Sequence, residues 1–267
     1  MTGDLVYVTY ADGAFVGNYA RNAWFARTLG GARRSLFFGR ADLEASAVYA
    51  GNRAVFDARR GAGYWAWKPW AILQAMEASG PGDVIFYQDC GYGLRYKTLL
   101  PLRRLVALAR ERGFIAGVHC PQYGPNRRWN RHLCREIMGC LDARFDDVPT
   151  VEAVMSFWPN TPEAREFVET WLRYCLNYEA IRDATPEERA GEAADFIEHR
   201  YDQAVLTNLA TLRDAPVLDP LPTSLPFAKS VSLLEIELRA RTSTVFATLY
   251  RLIVGIAALR RNFGQSI

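Results

Sequence analysis

The sequence predicts an α/β protein: a mainly parallel sheet covered by helices on both faces, with a helical tail at the C-terminal end. Two observations carry this. Short runs rich in β-formers alternate with helix-length runs from Leu5 to Val118, and glycine or proline punctuates the joins. The chain has 267 residues, half of them hydrophobic and 23% charged, which is enough for one large core and speaks against disorder.

The first strand is Leu5 to Thr9, where apolar residues and β-formers alternate; Tyr10-Ala11-Asp12-Gly13 is the turn after it. Asn18 to Leu29 has helical spacing and stops at Gly30-Gly31. Ser35 to Phe38 is a second short strand, and Asp42 to Tyr49 is expected to be helical. Pro69 sits where a helix begins, and Trp70 to Ala78 carries it to Gly80-Pro81-Gly82. Val84 to Tyr87 is a third strand, Thr98 to Arg112 an amphipathic helix and Phe114 to Val118 a fourth strand. The second half is less regular. Residues 121–130 read as a loop, Arg131 to Met138 as a short helix, and Thr150 to Phe157 as either strand or helix. Pro162 to Tyr178 and Arg200 to Leu212 are helices, separated by the polar, exposed stretch Thr185 to Ala194.

Composition narrows the function. A net charge of +3 does not argue for nucleic acid, where a concentrated basic face is expected. Five cysteines form no CxxC pair, and the N-terminal residues lack a signal-peptide pattern, so a reducing, cytoplasmic compartment is expected. Residues 231–267 differ from the domain predicted over 1–230. Ser243 to Leu259 is apolar except for Arg251 and is followed by Arg260-Arg261; about 17 residues with a central arginine is marginal for a bilayer span. It reads as an interfacial helix on an anionic membrane, or as a helix packed on the core.

The stretch Gly61 to Gly91 carries the chemistry. Asp89 ends a buried-looking strand and is followed by Gly91; a carboxylate there projects into the crevice where open sheets bind ligands, and it can hold a divalent cation together with substrate phosphates. Just upstream, Trp65 and Trp67 offer flat rings for the C–H faces of a sugar, and Lys68 a point charge for phosphate. The plain alternative is that the indoles are core and Lys68 snorkels. Gly61 and Gly63 allow a close backbone approach or simply a turn. Asp202 and Gln203 open a helix, where Asp202 either caps it or meets a sugar, and His199 is a further candidate ligand. Thr9, Tyr10 and Asp12 follow the first strand, where a base or ribose can be held; Arg59 and Arg60 can face a diphosphate. His119 and Cys120 lack an orienting third group for nucleophilic work. No Walker loop, GxSxG, HExxH or full GxGxxG pattern occurs.

The runs RRGAGYWAWKPWAI, GDVIFYQDCG, WNRHLCREIMG, FVETWLRYC and HRYDQAVL together resemble bacterial glycosyltransferase-like proteins of GT-A type, associated with capsule, lipopolysaccharide or other surface glycans. The resemblance covers about residues 5 to 210. It implies a nucleotide-sugar transferase in which Asp89 is the first acid of a DxD motif binding Mn²⁺ or Mg²⁺ with the diphosphate. Gly91 stands where the second acid would be, so a further ligand must come from elsewhere, His199 or Asp202. Asp202 and Gln203 resemble the late Asp-Gln pair that faces the donor sugar. Tyr64, within the first run, joins the expected substrate-binding residues. Leu133 stands where an acid is expected, which makes that segment structural. The implied partners are a nucleotide-sugar donor, a glycan or lipid-linked acceptor, and an anionic membrane surface under the tail. The missing second acid favours one alternative, a non-catalytic carbohydrate- or nucleotide-binding module docked at the membrane. Another is a membrane-docked scaffold built around the tail.

Overall fold

The computed structural model describes residues 3–28, 31–92, 102–218 and 248. The tail over residues 231–267 apart from Thr248, the boundary at residue 230 and the start of the helix expected from Thr98 lie outside them. The central sheet has four strands: β1 (Leu5–Tyr10), β2 (Arg34–Phe38), β3 (Val84–Gln88) and a later strand, Met155–Pro159. Its order is β2, β1, β3, then Met155–Pro159. β1 pairs in parallel with both β2 and β3, while Met155–Pro159 runs antiparallel to β3. Parallel strands buried on both faces lose the alternation of a half-exposed sheet, and all five residues of β3 are buried. Tyr7 packs tilted on Phe86 and Phe86 stacks on Phe157 across one face, with centroids 5.7 and 4.7 Å apart.

Among the described residues five helices have ten residues or more: α1 (Tyr19–Thr28), α2 (Trp67–Glu77), α3 (Leu102–Glu111), α4 (Pro162–Cys175) and α5 (Tyr201–Leu212). α2, α4 and α5 share one buried cluster with Val6, Val8, Ile85, Tyr87 and Trp158. Phe114, Phe167 and Trp158 hold that cluster together, with ring centroids 4.7 to 5.6 Å apart. Thr161 caps α4 by accepting from the Ala164 N–H at 3.3 Å, with Pro162 in its first turn. None of the helices in the described residues is long and apolar enough to cross a membrane.

Several sequence expectations are corrected. Among the described residues there are two mixed sheets, not one mainly parallel sheet. The expected fourth strand touches the central sheet at Ile115, which bridges Phe157. The chain then leaves it as β4 (Gly117–His119), pairing antiparallel with β5 (Val151–Glu152) and parallel with a strand at Val217–Leu218. Gly117 permits this: a Cβ there would meet the Glu152 carbonyl oxygen at 2.7 Å. The segment left open between strand and helix, Thr150 to Phe157, becomes β5 and then β6 (Met155–Pro159), and Val217–Leu218 is β7. The helix expected over Asp42 to Tyr49 is two short ones, Arg40–Glu44 and Ala47–Gly51, because the Ser46 hydroxyl accepts from the Tyr49 N–H at 3.2 Å and starts the second.

β1 runs to β2 on one side, and the chain then crosses back to place β3 on the other side of β1. The carboxyl ends of β1 and β3 therefore flank a topological switch point, where open α/β sheets form a crevice.

Candidate functional site

A cavity of about 400 Å³ lies at that switch point. Tyr10 and Asp12 from the end of β1, Asp89 and Gly91 from the end of β3, and Trp65 and Trp67 from the intervening segment all line it. Phe15 closes one side, packed so near Gly91 that a Cβ there would meet its ring at 3.2 Å. Tyr10 and Trp67 stack with centroids 4.2 Å apart and planes 17° off parallel. The Trp67 indole donates to the Gly61 carbonyl at 3.0 Å, which fixes the ring against the chain before it.

That preceding chain is a left-handed turn. Gly61, Ala62, Gly63, Tyr64 and Trp65 all have positive φ, at 57°, 51°, 104°, 53° and 57°. The Trp65 N–H closes the turn on the Gly61 carbonyl at 3.3 Å. For non-glycine residues this backbone costs about 1–2 kcal/mol each, and it persists where the surroundings over-determine it. Here aromatic packing does so. Tyr64 stacks on Tyr201 at 5.2 Å, Trp65 lies 5.5 Å from the same ring, and Tyr201 itself has φ 48°. Gly61 is obligatory on two grounds: its φ, and the Trp65 ring, which a Cβ would meet at 2.2 Å. Gly61→Ala is expected to cost at least about 2 kcal/mol, read as a lowered urea midpoint with unchanged slope.

Behind the cavity wall Lys68 joins two carboxylates. Its ammonium is 3.3 Å from Asp89 Oδ2 and 3.3 Å from Asp202 Oδ2. The side chains of Lys68 and Asp202 are 6% and 4% exposed, that of Asp89 18%. The Tyr87 hydroxyl donates to Asp89 Oδ1 at 2.6 Å, and the Trp171 indole donates to the Asp202 carbonyl at 3.0 Å, pinning the first turn of α5. Burial raises the Asp202 carboxyl to about 7; Lys68 opposes the rise and the Asp89 charge adds to it. Burial also raises Asp89, against the pull of Lys68 and the Tyr87 hydrogen bond. For Lys68, burial favours the neutral amine but the two carboxylates outweigh it and hold the ammonium above its usual range. With all three ionised the trio carries one net negative charge.

The structure distributes the expected site residues unevenly. Tyr10, Asp12, Trp65, Trp67, Asp89 and Gly91 line the cavity. Lys68 and Asp202 stand behind it, so the expectation that Lys68 offers an open charge to phosphate gives way to a buried pair. Thr9 is fully buried, its hydroxyl donating to the Gln88 carbonyl at 2.7 Å and tying β1 to β3. Asp12 accepts from the Gly13 N–H at 2.7 Å. Arg60 opens the left-handed turn and pairs with Glu198 at 3.1 Å, above the Tyr201 ring. Tyr64 serves the packing of that turn. Gln203 follows Asp202 in α5, and its carbonyl accepts from the Thr207 hydroxyl at 2.8 Å. The Cys120 thiol donates to Glu152 Oε2 at 3.2 Å.

His199 is buried, its Nδ1 accepting from the Arg131 N–H at 3.3 Å and its ring edge-on to Tyr201. Burial, with the Arg131 charge, pushes the imidazole down to about 3. Its folded value lies below its unfolded one, so its contribution is complete above the unfolded pKa and lost as pH falls toward the folded one. The wild type should lose roughly 2–3 kcal/mol from this group between pH 6 and pH 4, and His199→Gln should flatten that part of the urea-midpoint profile.

Two contributors had weak sequence signals. Tyr87 lies two residues before Asp89, on the same face of an extended chain, a spacing that could have found it. Tyr201 adjoins Asp202, but nothing local marks its left-handed backbone. A Mn²⁺ or Mg²⁺ ion needs oxygen donors. No group of three or more His, Cys, Asp or Glu that could hold a metal occurs among the described residues. Asp89 faces the cavity with lone pairs left beyond its Tyr87 and Lys68 contacts, and Asp12 with lone pairs left beyond its bond from the Gly13 N–H. A cation brought in with a diphosphate needs one or two carboxylates, and Asp89 fits that smaller demand. Compared with models of known protein families and with curated proteins, the chain matches none.

Proposed function

We propose that the protein is a glycosyltransferase of GT-A type. It would move a sugar from a nucleotide-diphosphate donor to a glycan or lipid-linked acceptor in surface polysaccharide synthesis. One observation carries the reading: Lys68 ties Asp89 to Asp202 directly behind an aromatic-walled cavity at the switch point of the sheet. Residues distant in sequence converge where an α/β sheet binds ligands, and the convergence includes two carboxylates with raised pKa, Asp202 buried and Asp89 part-buried.

In this reading the aromatic walls take the faces of base or sugar, and Asp89 accepts hydrogen bonds from hydroxyls. Asp89 would also be the residue that holds a Mn²⁺ or Mg²⁺ ion, whose chemistry is to neutralise the leaving diphosphate. Tyr87 and Lys68 keep the Asp89 carboxylate in one orientation, so it need not reorganise when charge develops at the anomeric carbon. Asp202 acts through Lys68, holding the ammonium charged and in place. The left-handed turn excludes water from one wall with Trp65.

Residues 231–267, which apart from Thr248 lie outside the described residues, would hold the enzyme at the inner face of an anionic cytoplasmic membrane. Truncation before Ser243 should release it from anionic vesicles, and sedimentation with the vesicles after truncation would remove the anchor.

A binding module without catalysis is the second reading. It is favoured by the absence of any Lys, Arg or His among the described residues that line the cavity. A thermal-shift screen of nucleotide sugars with and without Mn²⁺ tests the first reading, because a ligand that binds the folded state raises its midpoint. Slow donor hydrolysis without acceptor then separates transferase from module; a donor that binds and is never hydrolysed sinks the transferase.

A further inference from the structure

We infer that the cavity selects an uncharged, hydroxyl-rich sugar ring and rejects one that bears a carboxylate; this deepens the transferase reading and rests on it. Three features of the cavity converge. The first is charge. Asp89 lies in the wall at the end of β3, and Asp12 at the end of β1. The one ammonium close to Asp89 in the described structure, that of Lys68, is divided between two carboxylates at 3.3 Å each, and a cation held at Asp89 would be matched to the donor's diphosphate, so neither is left for a carboxylate on the sugar. An additional carboxylate inside about 400 Å³ would sit close to both walls at reduced dielectric.

The second feature is hydrogen-bond chemistry. An ionised carboxylate accepts and has no hydrogen to donate. Asp12 and Asp89 therefore match the hydroxyls of a neutral sugar, which can donate to them, and have no hydrogen to offer the carboxylate oxygens of a uronic acid.

The third is rigidity. The Trp65 ring is seated on Gly61, where a Cβ would lie 2.2 Å from it, and is backed by Tyr201 at 5.5 Å. The Trp67 ring is fixed by its bond to the Gly61 carbonyl and by Tyr10. A wall held this way does not open to let a displaced carboxylate reach water. A left-handed backbone at Ala62, Tyr64 and Trp65 that only served packing would have no reason to line a cavity with Gly61, Ala62 and Trp65.

The test uses matched donors that differ in the sugar alone. The full chain, with Mn²⁺ present, is titrated calorimetrically with UDP-glucose and UDP-glucuronate, and with GDP-mannose and GDP-mannuronate. The neutral member of the pair that binds should do so at least tenfold more tightly, about 1.4 kcal/mol. Equal affinity, or tighter binding of the uronate, overturns the inference and leaves the transferase reading standing. Failure of all four to bind overturns that reading and the inference with it. Asp12→Asn keeps the Gly13 cap, since asparagine caps as well as aspartate, and should narrow the gap. A gap of unchanged width would show that charge at the cavity mouth is not its origin.

Discussion

Lys68→Met should destabilise the protein by about 3–5 kcal/mol, because it leaves two buried carboxylates facing one another without the ammonium between them. Methionine keeps the volume, so a packing defect contributes little. The loss should depend on pH in a stated direction. The Asp202 carboxyl is already raised to about 7 in the folded protein, and removing the ammonium removes the influence that holds it down. A carboxyl raised on folding contributes stability that is complete below its unfolded pKa and lost as pH rises through its folded one. Urea unfolding of the variant should therefore show a smaller deficit at pH 6 than at pH 8. Lys68→Met combined with Asp202→Asn should recover much of the deficit, since only Asp89 then remains charged, with its Tyr87 bond intact. A single-variant loss below about 1 kcal/mol would mean that the trio contributes little to stability.

Asp89→Asn separates stability from function. The substitution removes one negative charge from a trio whose sum is already negative, and Lys68 keeps Asp202 as its partner. Folding stability should change by no more than about 1 kcal/mol. Activity should fall far more. Removing a preorganised charged group at a reacting centre costs about 10²–10³ in rate, and donor hydrolysis or transfer should drop by that order. Calorimetric affinity for the nucleoside diphosphate in Mn²⁺ should fall as well. A variant with wild-type turnover and affinity would take Asp89 out of the site, and with it the proposed transferase.

Much of the site was legible as a set of residues. Asp89 was found because a run of four apolar residues ended on an acid before glycine, and sheets place such ends in their crevice. Trp65, Trp67, Lys68 and Asp202 were found as chemistry-bearing types in unusual runs. What they do to one another was not legible. Lys68 was read as a charge for phosphate, yet it is buried between Asp89 and Asp202, a contact that depends on how α2 and α5 pack against the end of β3. His199 was read as a metal ligand; burial and the Arg131 N–H take its ring elsewhere. The second sheet was not visible either. Gly117 reads locally as a weak point in a strand, and only its approach to the Glu152 carbonyl shows why it is there.

The sequence by itself determined the strands β1 to β3, the long helices and the place of Asp89, because hydrophobic period and glycine–proline punctuation act over a few residues. Tertiary structure decided the left-handed turn at Gly61 to Trp65 and the charge of the site. Local propensity opposes positive φ at Ala62, Tyr64 and Trp65, and packing against Tyr201 together with main-chain bonds such as that from the Trp65 N–H to the Gly61 carbonyl offsets it. The ionisation of Asp202 likewise depends on burial and on two partners far away in the chain, and neither can be read from its neighbours in sequence.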